Sequence, residues 1–238
     1  MSLDELLRQG GPVPDGVAKQ LGAFNGGIPQ ECPTPVEPTM TTPETSPPVV
    51  PAVAVPDRVL VPGFLTVCLP GFPTADAVTF VVTDPAGRAS TFPVPAGWDT
   101  KYGVDVYLGV GRPQGRYRIR ATQGGTSAEA EFPVERVTQP VIWIHPDRVR
   151  AGSAVEVQLG GFPSGEPATL HLYSAADGPM IRYRASVDVR VNLVGEAQQT
   201  LRTTTSTEPG KYYLHSPLQR ETSGPPGSIT APSFRLRR

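Results

Sequence analysis

The stretch Pro56–Phe72, PDRVLVPGFLTVCLPGF, returns ninety residues later as Pro146–Phe162, PDRVRAGSAVEVQLGGF. Both copies open on Pro-Asp-Arg-Val and run without a gap into Gly-Phe-Pro, at Gly71–Pro73 and Gly161–Pro163. Self-similarity at a fixed period marks a duplicated structural unit. The 238 residues therefore divide into two small domains rather than one large one.

Working outward, the first copy reads as a series of short strands. Leu65, Val67 and Leu69 fall on one face, Thr66 and Cys68 on the other. Strands are expected over Ala77–Thr83, Ser90–Val94, Val104–Val110, Gly115–Ala121 and Ala128–Val134, with an edge at Asp57–Leu60. Asp84-Pro85-Ala86-Gly87 is a turn signal. In Arg116-Tyr-Arg-Ile-Arg120 the two apolar residues face inward and the three arginines face water. Such a row reads as a solvated face that guards the sheet against edge pairing. Pro (29) and Gly (25) are abundant, which suits many strands joined by turns.

The second copy repeats the plan with longer loops. Val155–Leu159 matches Leu65–Leu69, Ala168–Tyr173 is a strand, and Asp177-Gly178 replaces the first turn. Pro209-Gly-Lys-Tyr212 echoes Gln114-Gly-Arg-Tyr117, and Ser233-Phe-Arg-Leu-Arg237 matches Glu131-Phe-Pro-Val-Glu135. Ile181–Leu193 alternates for an unusual length. It puts Tyr183, Ala185, Val187, Val189 and Val191 on one face, and predicts a bent strand or two strands joined by a bulge. The expected core is Leu65, Val67, Leu69, Phe80, Tyr117, Ile119 and Phe132, with Val155, Val157, Leu159, Leu170, Tyr212 and Phe234 in the second repeat. A Pro/Gly-rich insert over Ser216–Ser228 is the main departure.

Ahead of the repeats, residues 2–9 read as a short helix capped by Ser2, with Glu5 as its capping-box partner and Gly10-Gly11 as its stop. A second short helix is expected over Asp15–Phe24. Residues 33–51 hold seven Pro and five Thr in nineteen positions. That composition cannot pack and favours extended polyproline II, a stalk of about 60 Å at full length.

The net charge of −1 is unevenly shared: −4 over residues 1–54, zero over 55–144 and +3 over 145–238. The last value is too small to argue for nucleic acid. Cys32 and Cys68 lie in different segments, and Gln158 stands where the second repeat would need a cysteine. No repeated disulfide framework follows, and Cys68 reads as a small buried hydrophobe. No run approaches 18 apolar residues, so no membrane-spanning segment is expected. The first residues lack the basic and apolar regions of a secretory signal, which leaves a cytoplasmic location open.

The paired Gly-Phe-Pro turns, the Asp84–Gly87 and Ala176–Gly178 turns and the Gly-x-Tyr strands at Tyr117 and Tyr212 resemble bacterial immunoglobulin-like repeats of surface and secreted proteins. More loosely, they resemble macroglobulin-type and fibronectin-type sandwiches. The resemblance covers residues 52–238 and implies an all-β fold of two tandem immunoglobulin-like antiparallel β-sandwiches, over 52–138 and 139–238. A short helical segment (1–32) and the Pro/Thr-rich linker (33–51) precede them. It implies a non-catalytic spacer or adhesive module at an extracellular or cell-surface location, with a protein partner or self-association.

Chemistry-bearing motifs are few. His145, His171 and His215 each stand alone, no Cys or His has metal-ligand spacing, and GxSxG, HExxH and Walker patterns are missing. No catalytic residue, cofactor or metal is expected. Asp57 and Asp147 recur at the entry to each repeat, but calcium needs six to eight oxygens and neither has acidic neighbours for it. The candidate ligand site is the aromatic group Trp98, Tyr102 and Tyr107, a platform for a protein or a polysaccharide. Trp143, His145, Asp147 and Arg148 are expected at the junction of the repeats. Two other readings stand beside the spacer: a ligand-binding accessory region using the Trp98 loop, and the sensor or effector tail of a larger regulatory protein.

Overall fold

The computed structural model describes residues 2–9, 21–23, 32, 50–98, 103–175, 181–219 and 229–238. The chain falls into two compact units. The N-repeat unit comprises Gly26–Leu108 and Arg112–Glu135, and the C-repeat unit comprises Met1–Asn25, Gly109–Gly111 and Arg136–Arg238. Helix α1 (Leu3–Gln9) and strand β1 (Leu21–Ala23) come first. The first repeat supplies β2 (Val59–Val61), β3 (Gly63–Val67), β4 (Val78–Thr83), β5 (Ala89–Val94), β6 (Val104–Leu108), β7 (Gly115–Gln123) and β8 (Thr126–Arg136). The second supplies β9 (Val141–His145), β10 (Arg148–Arg150), β11 (Ala154–Gly160), β12 (Pro167–Ala175) and β13 (Ile181–Arg190). It continues with β14 (Ala197–Arg202), β15 (Gly210–His215), β16 (Ile229–Ala231) and β17 (Ser233–Arg237).

Each unit is an immunoglobulin-like sandwich. In the N-repeat unit a five-stranded sheet, β2-β8-β7-β4-β5, faces the pair β3-β6. In the C-repeat unit β10-β17-β15-β12-β13 faces β14-β11-β9. The five-stranded orders coincide once β10, β17, β15, β12 and β13 are read as counterparts of β2, β8, β7, β4 and β5. Period-2 alternation fills both cores: all thirteen residues expected inside are buried. Fully burying a side chain of this size is worth about 1.5–3 kcal/mol.

Two repeated motifs have a physical reason. Gly71 and Gly161, which open the Gly-Phe-Pro turns, have φ of +79° and +72°. A Cβ on Gly71 would lie 2.9 Å from Pro51 Cα, and one on Gly161 would lie 2.2 Å from the Gln139 carbonyl oxygen. Only glycine combines that conformation with so close a backbone. Phe72 and Phe162 then drop into their cores.

The Gly-x-Tyr strands form a tyrosine corner in each unit. Tyr117 donates its hydroxyl hydrogen bond to the Pro113 carbonyl (2.9 Å), and Tyr212 donates to the Glu208 carbonyl. Each ring stacks on a cross-strand phenylalanine, Tyr117 on Phe132 at 5.8 Å and Tyr212 on Phe234 at 5.3 Å. Tyr117→Phe and Tyr212→Phe are each expected to lower the stability of their own unit by about 1–2 kcal/mol, because a carbonyl loses its donor. Unchanged urea midpoints in both variants would show that the corners contribute nothing.

Asp84 anchors the first turn. Its carboxylate, 1% exposed, accepts from the Ala86 and Arg88 amides at 2.9 Å and from Arg88 Nε at 2.7 Å. Burial pushes its pKa up, but the hydrogen bonds from Arg88 and Ala86 and the Arg88 charge outweigh that and hold it below the usual value. A depressed carboxyl stabilises the fold above the unfolded pKa and loses that contribution as pH falls through the folded one. Asp84→Asn is therefore expected to flatten the acid limb of the N-repeat stability curve. An unchanged limb would sink the assignment.

Three expectations are corrected. Cys68 is not a free hydrophobe: it is disulfide-bonded to Cys32, with Cα atoms 5.6 Å apart. The bond ties the segment before the repeats to the first sandwich, so no counterpart was due at Gln158. Tyr183 does not share a face with Ala185: the register between β12 and β13 shifts at Leu172/Tyr173, so that Leu172 faces Ala185 and Tyr173 faces Tyr183. The bulge leaves Arg184 over and turns Tyr183 onto the outer face. Leu21–Ala23, expected within a helix, is strand β1, parallel to β16. The remainder of that helix (15–20 and 24), most of the Pro/Thr-rich linker (33–49) and the insert over 220–228 lie outside the described residues.

Candidate functional site

Alternation along three neighbouring strands of the C-repeat unit turns Phe234 and Leu236 (β17), Val149 (β10), and Tyr212 and Leu214 (β15) into the core. The opposite face then carries Ser233, Arg235 and Arg237, Arg148 and Arg150, and Lys211, Tyr213 and His215. Register aligns them: Arg148 with Arg235, Arg150 with Arg237, Lys211 with Arg235 and Tyr213 with Ser233. Neighbouring strands lie about 4.8 Å apart, and same-face positions along a strand repeat at about 6.6 Å. An open groove of about 330 Å³ results, lined by Asp147, Arg148, Lys211, Ser233, Arg235 and Arg237.

Charge in the groove is not balanced. Among the described residues Asp147 is its one carboxylate, 3.9 Å from Arg148, while the Asp147 backbone carbonyl accepts from the Arg235 amide at 2.7 Å. Among the described residues, no carboxylate pairs with Lys211, Arg235 or Arg237. Burial and, after it, the Arg235 charge lower the pKa of Lys211. Its ammonium lies 5.1 Å from the centre of the Tyr213 ring.

The same face of the N-repeat unit is built the other way. Arg116 and Arg118 reach Glu131 at 3.2 and 3.8 Å, and Arg120 reaches Glu129 at 3.5 Å. These pairs are half-exposed and contribute little to stability, but they neutralise the row. Aligning Tyr117 with Tyr212 and Phe132 with Phe234 places Ser233, Arg235 and Arg237 where the first repeat has Glu131, Pro133 and Glu135. The fold itself does not require the cations.

Next to the groove, β15, β12 and β13 align His215, His171 and Ser186 in one row and Tyr213, Tyr173 and Tyr183 in another. His171 Nδ1 lies 2.6 Å from Ser186 Oγ, which lies 2.8 Å from the Tyr183 hydroxyl. His215 Nδ1 and the Tyr173 hydroxyl are buried with no hydrogen-bond partner among the described residues. Burial, then the neighbouring His171, pushes His215 down to about 4. Burial, then Tyr183, pushes Tyr173 up to about 12. Both groups are neutral at pH 7, which suits packing rather than proton transfer.

The residues singled out from sequence are dispersed. Trp98 is half-buried and packs against the N-repeat core. Tyr107, on β6, pairs across the strands with Phe64, ring centres 5.2 Å apart. Tyr102 lies outside the described residues. In the C-repeat unit Trp143 is half-buried on β9 opposite Gln158, and His145 is exposed opposite Glu156. Asp147 and Arg148 line the groove. Lys211, Arg235 and Arg237 were missed as a group. Their signal was legible in the exchange of Glu131-Phe-Pro-Val-Glu135 for Ser233-Phe-Arg-Leu-Arg237. Among the described residues, no group of three or more His, Cys, Asp or Glu is disposed to hold a metal ion.

No family model matches the chain, and no curated protein matches it. Among solved structures it is similar to trypsin-activated α2-macroglobulin from Escherichia coli: TM-score 0.29, 15% identity, 76% of this chain covered. The chain spans 15% of that protein's length. It is also similar to a teleost fish polymeric Ig receptor ectodomain, with TM-score 0.28 and 11% identity over 78% of this chain and 96% of that one. It is similar, too, to a two-domain fibronectin type III segment of chicken tenascin, with TM-score 0.29 and 12% identity over 79% of this chain and 99% of that one. The fold assignment rests on the strand orders and the two tyrosine corners.

Proposed function

We propose that this chain is a non-catalytic structural or adhesive module of a bacterial surface, secreted or filament-associated assembly. The observation that carries the reading is the duplicated sandwich whose buried polar groups act as struts: Tyr117, Tyr212 and Asp84 each bond to nearby backbone. Such groups hold a shape, and shape held in tandem is what a spacer or adhesive unit requires. The Cys32–Cys68 disulfide supports an oxidising, extracellular setting. Among the described residues no helix is long and apolar enough to cross a membrane.

A second reading, a ligand-binding accessory region, is favoured by the unbalanced cations of the C-repeat groove rather than by Trp98. Light scattering combined with small-angle X-ray scattering on the intact chain tests the first reading. A self-associating or rod-like particle supports it. A compact monomer at all concentrations overturns it and leaves ligand binding.

A further inference from the structure

We infer that the groove over β10, β17 and β15 binds an acidic polysaccharide. The inference deepens the ligand-binding reading above and rests on it.

The fold accepts a cost on this face. Lys211 and Arg235 are direct cross-strand partners, and Arg148 and Arg235 are partners on the other side. Like charges in such positions repel and destabilise a sheet. The first repeat has Glu131, Pro133 and Glu135 where this face has Ser233, Arg235 and Arg237, and its Glu131 pairs with Arg116 and Arg118, so a balanced alternative exists within this chain. Keeping four cations around one carboxylate, among the described residues, is therefore a feature of this face and not of the architecture.

The arrangement selects among anions. Ser233, Arg235 and Arg237 succeed one another along β17, flanked by Arg148 and Lys211. Cations at several points along an open groove suit an extended ligand with repeated charges better than a single ion. Guanidinium groups present a planar fork that matches carboxylate and sulfate. Single-stranded nucleic acid would need exposed aromatic faces for its bases; among the described residues none lines this groove, and the neighbouring Tyr213 ring is buried, with Lys211 over it. A peptide recognised through its main chain needs a run of unpaired strand groups, whereas β17 and β15 are paired on both sides and β10, at the end of the sheet order, is 3 residues long. A uronic or sulfated sugar chain requires neither. Its charges meet the cations, and its hydroxyls stay solvated in the open groove.

The test is calorimetric titration of the full chain with polygalacturonate and with heparin, using dextran, polyglutamate and inorganic phosphate as comparisons, at low and moderate salt. At least one acidic polysaccharide is expected to bind saturably, more weakly as salt rises, and dextran not at all. Arg235→Gln/Arg237→Gln should weaken binding at least about tenfold, while Arg116→Gln/Arg118→Gln on the balanced face should change it less than about twofold. Both arginines are exposed and repel their neighbours, so the double variant is expected to fold, with a thermal midpoint at or above that of the parent.

Equal affinity in the Arg235/Arg237 variant overturns the inference. So does tighter binding of polyglutamate, which would make the ligand a peptide, or binding of phosphate alone, which would make it a free ion. If no polyanion binds while scattering still shows self-association, the groove inference falls and the adhesive reading stands. If the particle is also a compact monomer, both fall.

Discussion

Leu3→Ala is expected to lower the stability of the C-repeat unit by about 2–4 kcal/mol and to leave the N-repeat unit unchanged. Leu3 is 0% exposed within the second sandwich's core, and Leu7, one turn later, packs against the same residues. Ser2 bridges to Arg202 on β14, which fixes the helix at its start. A seven-residue helix has no stability of its own in water, so its order depends on that docking. Truncating the side chain removes both the transfer energy and the packing of the helix behind it. Because Trp98 packs in one unit and Trp143 lies on a strand of the other, single-tryptophan variants separate the two responses. In urea, the Trp143 transition should move to lower denaturant in Leu3→Ala while the Trp98 transition stays. A stationary Trp143 transition would sink the docking, and Glu5→Ala, at an exposed position, is the matched control.

Acidification should destabilise the same unit through His215. The ring is buried and neutral in the fold, its pKa pushed down to about 4 by burial first and by His171 second, against about 6.5 when unfolded. Above pH 6.5 neither state binds the proton and stability is unaffected. Between pH 6.5 and 4 the unfolded chain is protonated and the folded one is not, so stability falls with pH. The full shift corresponds to about 3 kcal/mol, and about 2 kcal/mol remains after discounting for residual solvent screening. His171, whose pKa burial also lowers, acts in the same direction. The Tyr173 and Tyr213 rings beside them, with pKa values raised by burial, do not ionise in this window. Urea midpoints of the C-repeat unit at pH 7 and pH 4.5 should differ in the parent and differ less in His215→Gln. Parallel pH dependence in both proteins would show that other groups are responsible.

Much of the fold was legible in the chain. The ninety-residue period fixes how many sandwiches there are, and period-2 alternation picks out core residues from Leu65 to Phe234 because strand side chains alternate by geometry alone. The Gly-Phe-Pro turns and Gly-x-Tyr strands announced themselves because backbone demands at Gly71 and Gly161 and the bonds of Tyr117 and Tyr212 are local. The arginine row at Arg116–Arg120 was readable as a solvated face for the same reason.

The site was far less legible, since its residues meet only through long-range pairing. Arg148, Lys211 and Arg235 are separated by dozens of positions in sequence yet sit on adjacent strands, and only sheet register makes them one patch. The bulge opposite Leu172 and Tyr173 moved Tyr183 to the other face, which an unbroken alternation in the sequence could not reveal. Cys32, in a segment ahead of the repeats with no counterpart in the second, found Cys68. Leu3 entered the core of the second sandwich rather than the first, although it precedes both. By itself, then, the sequence determined the duplicated strands and the residues each turns inward, because those follow from local backbone geometry and period. The tertiary structure alone decided which cations share a groove, which cysteines join and where the helix docks, because each depends on segments distant in the chain being brought side by side.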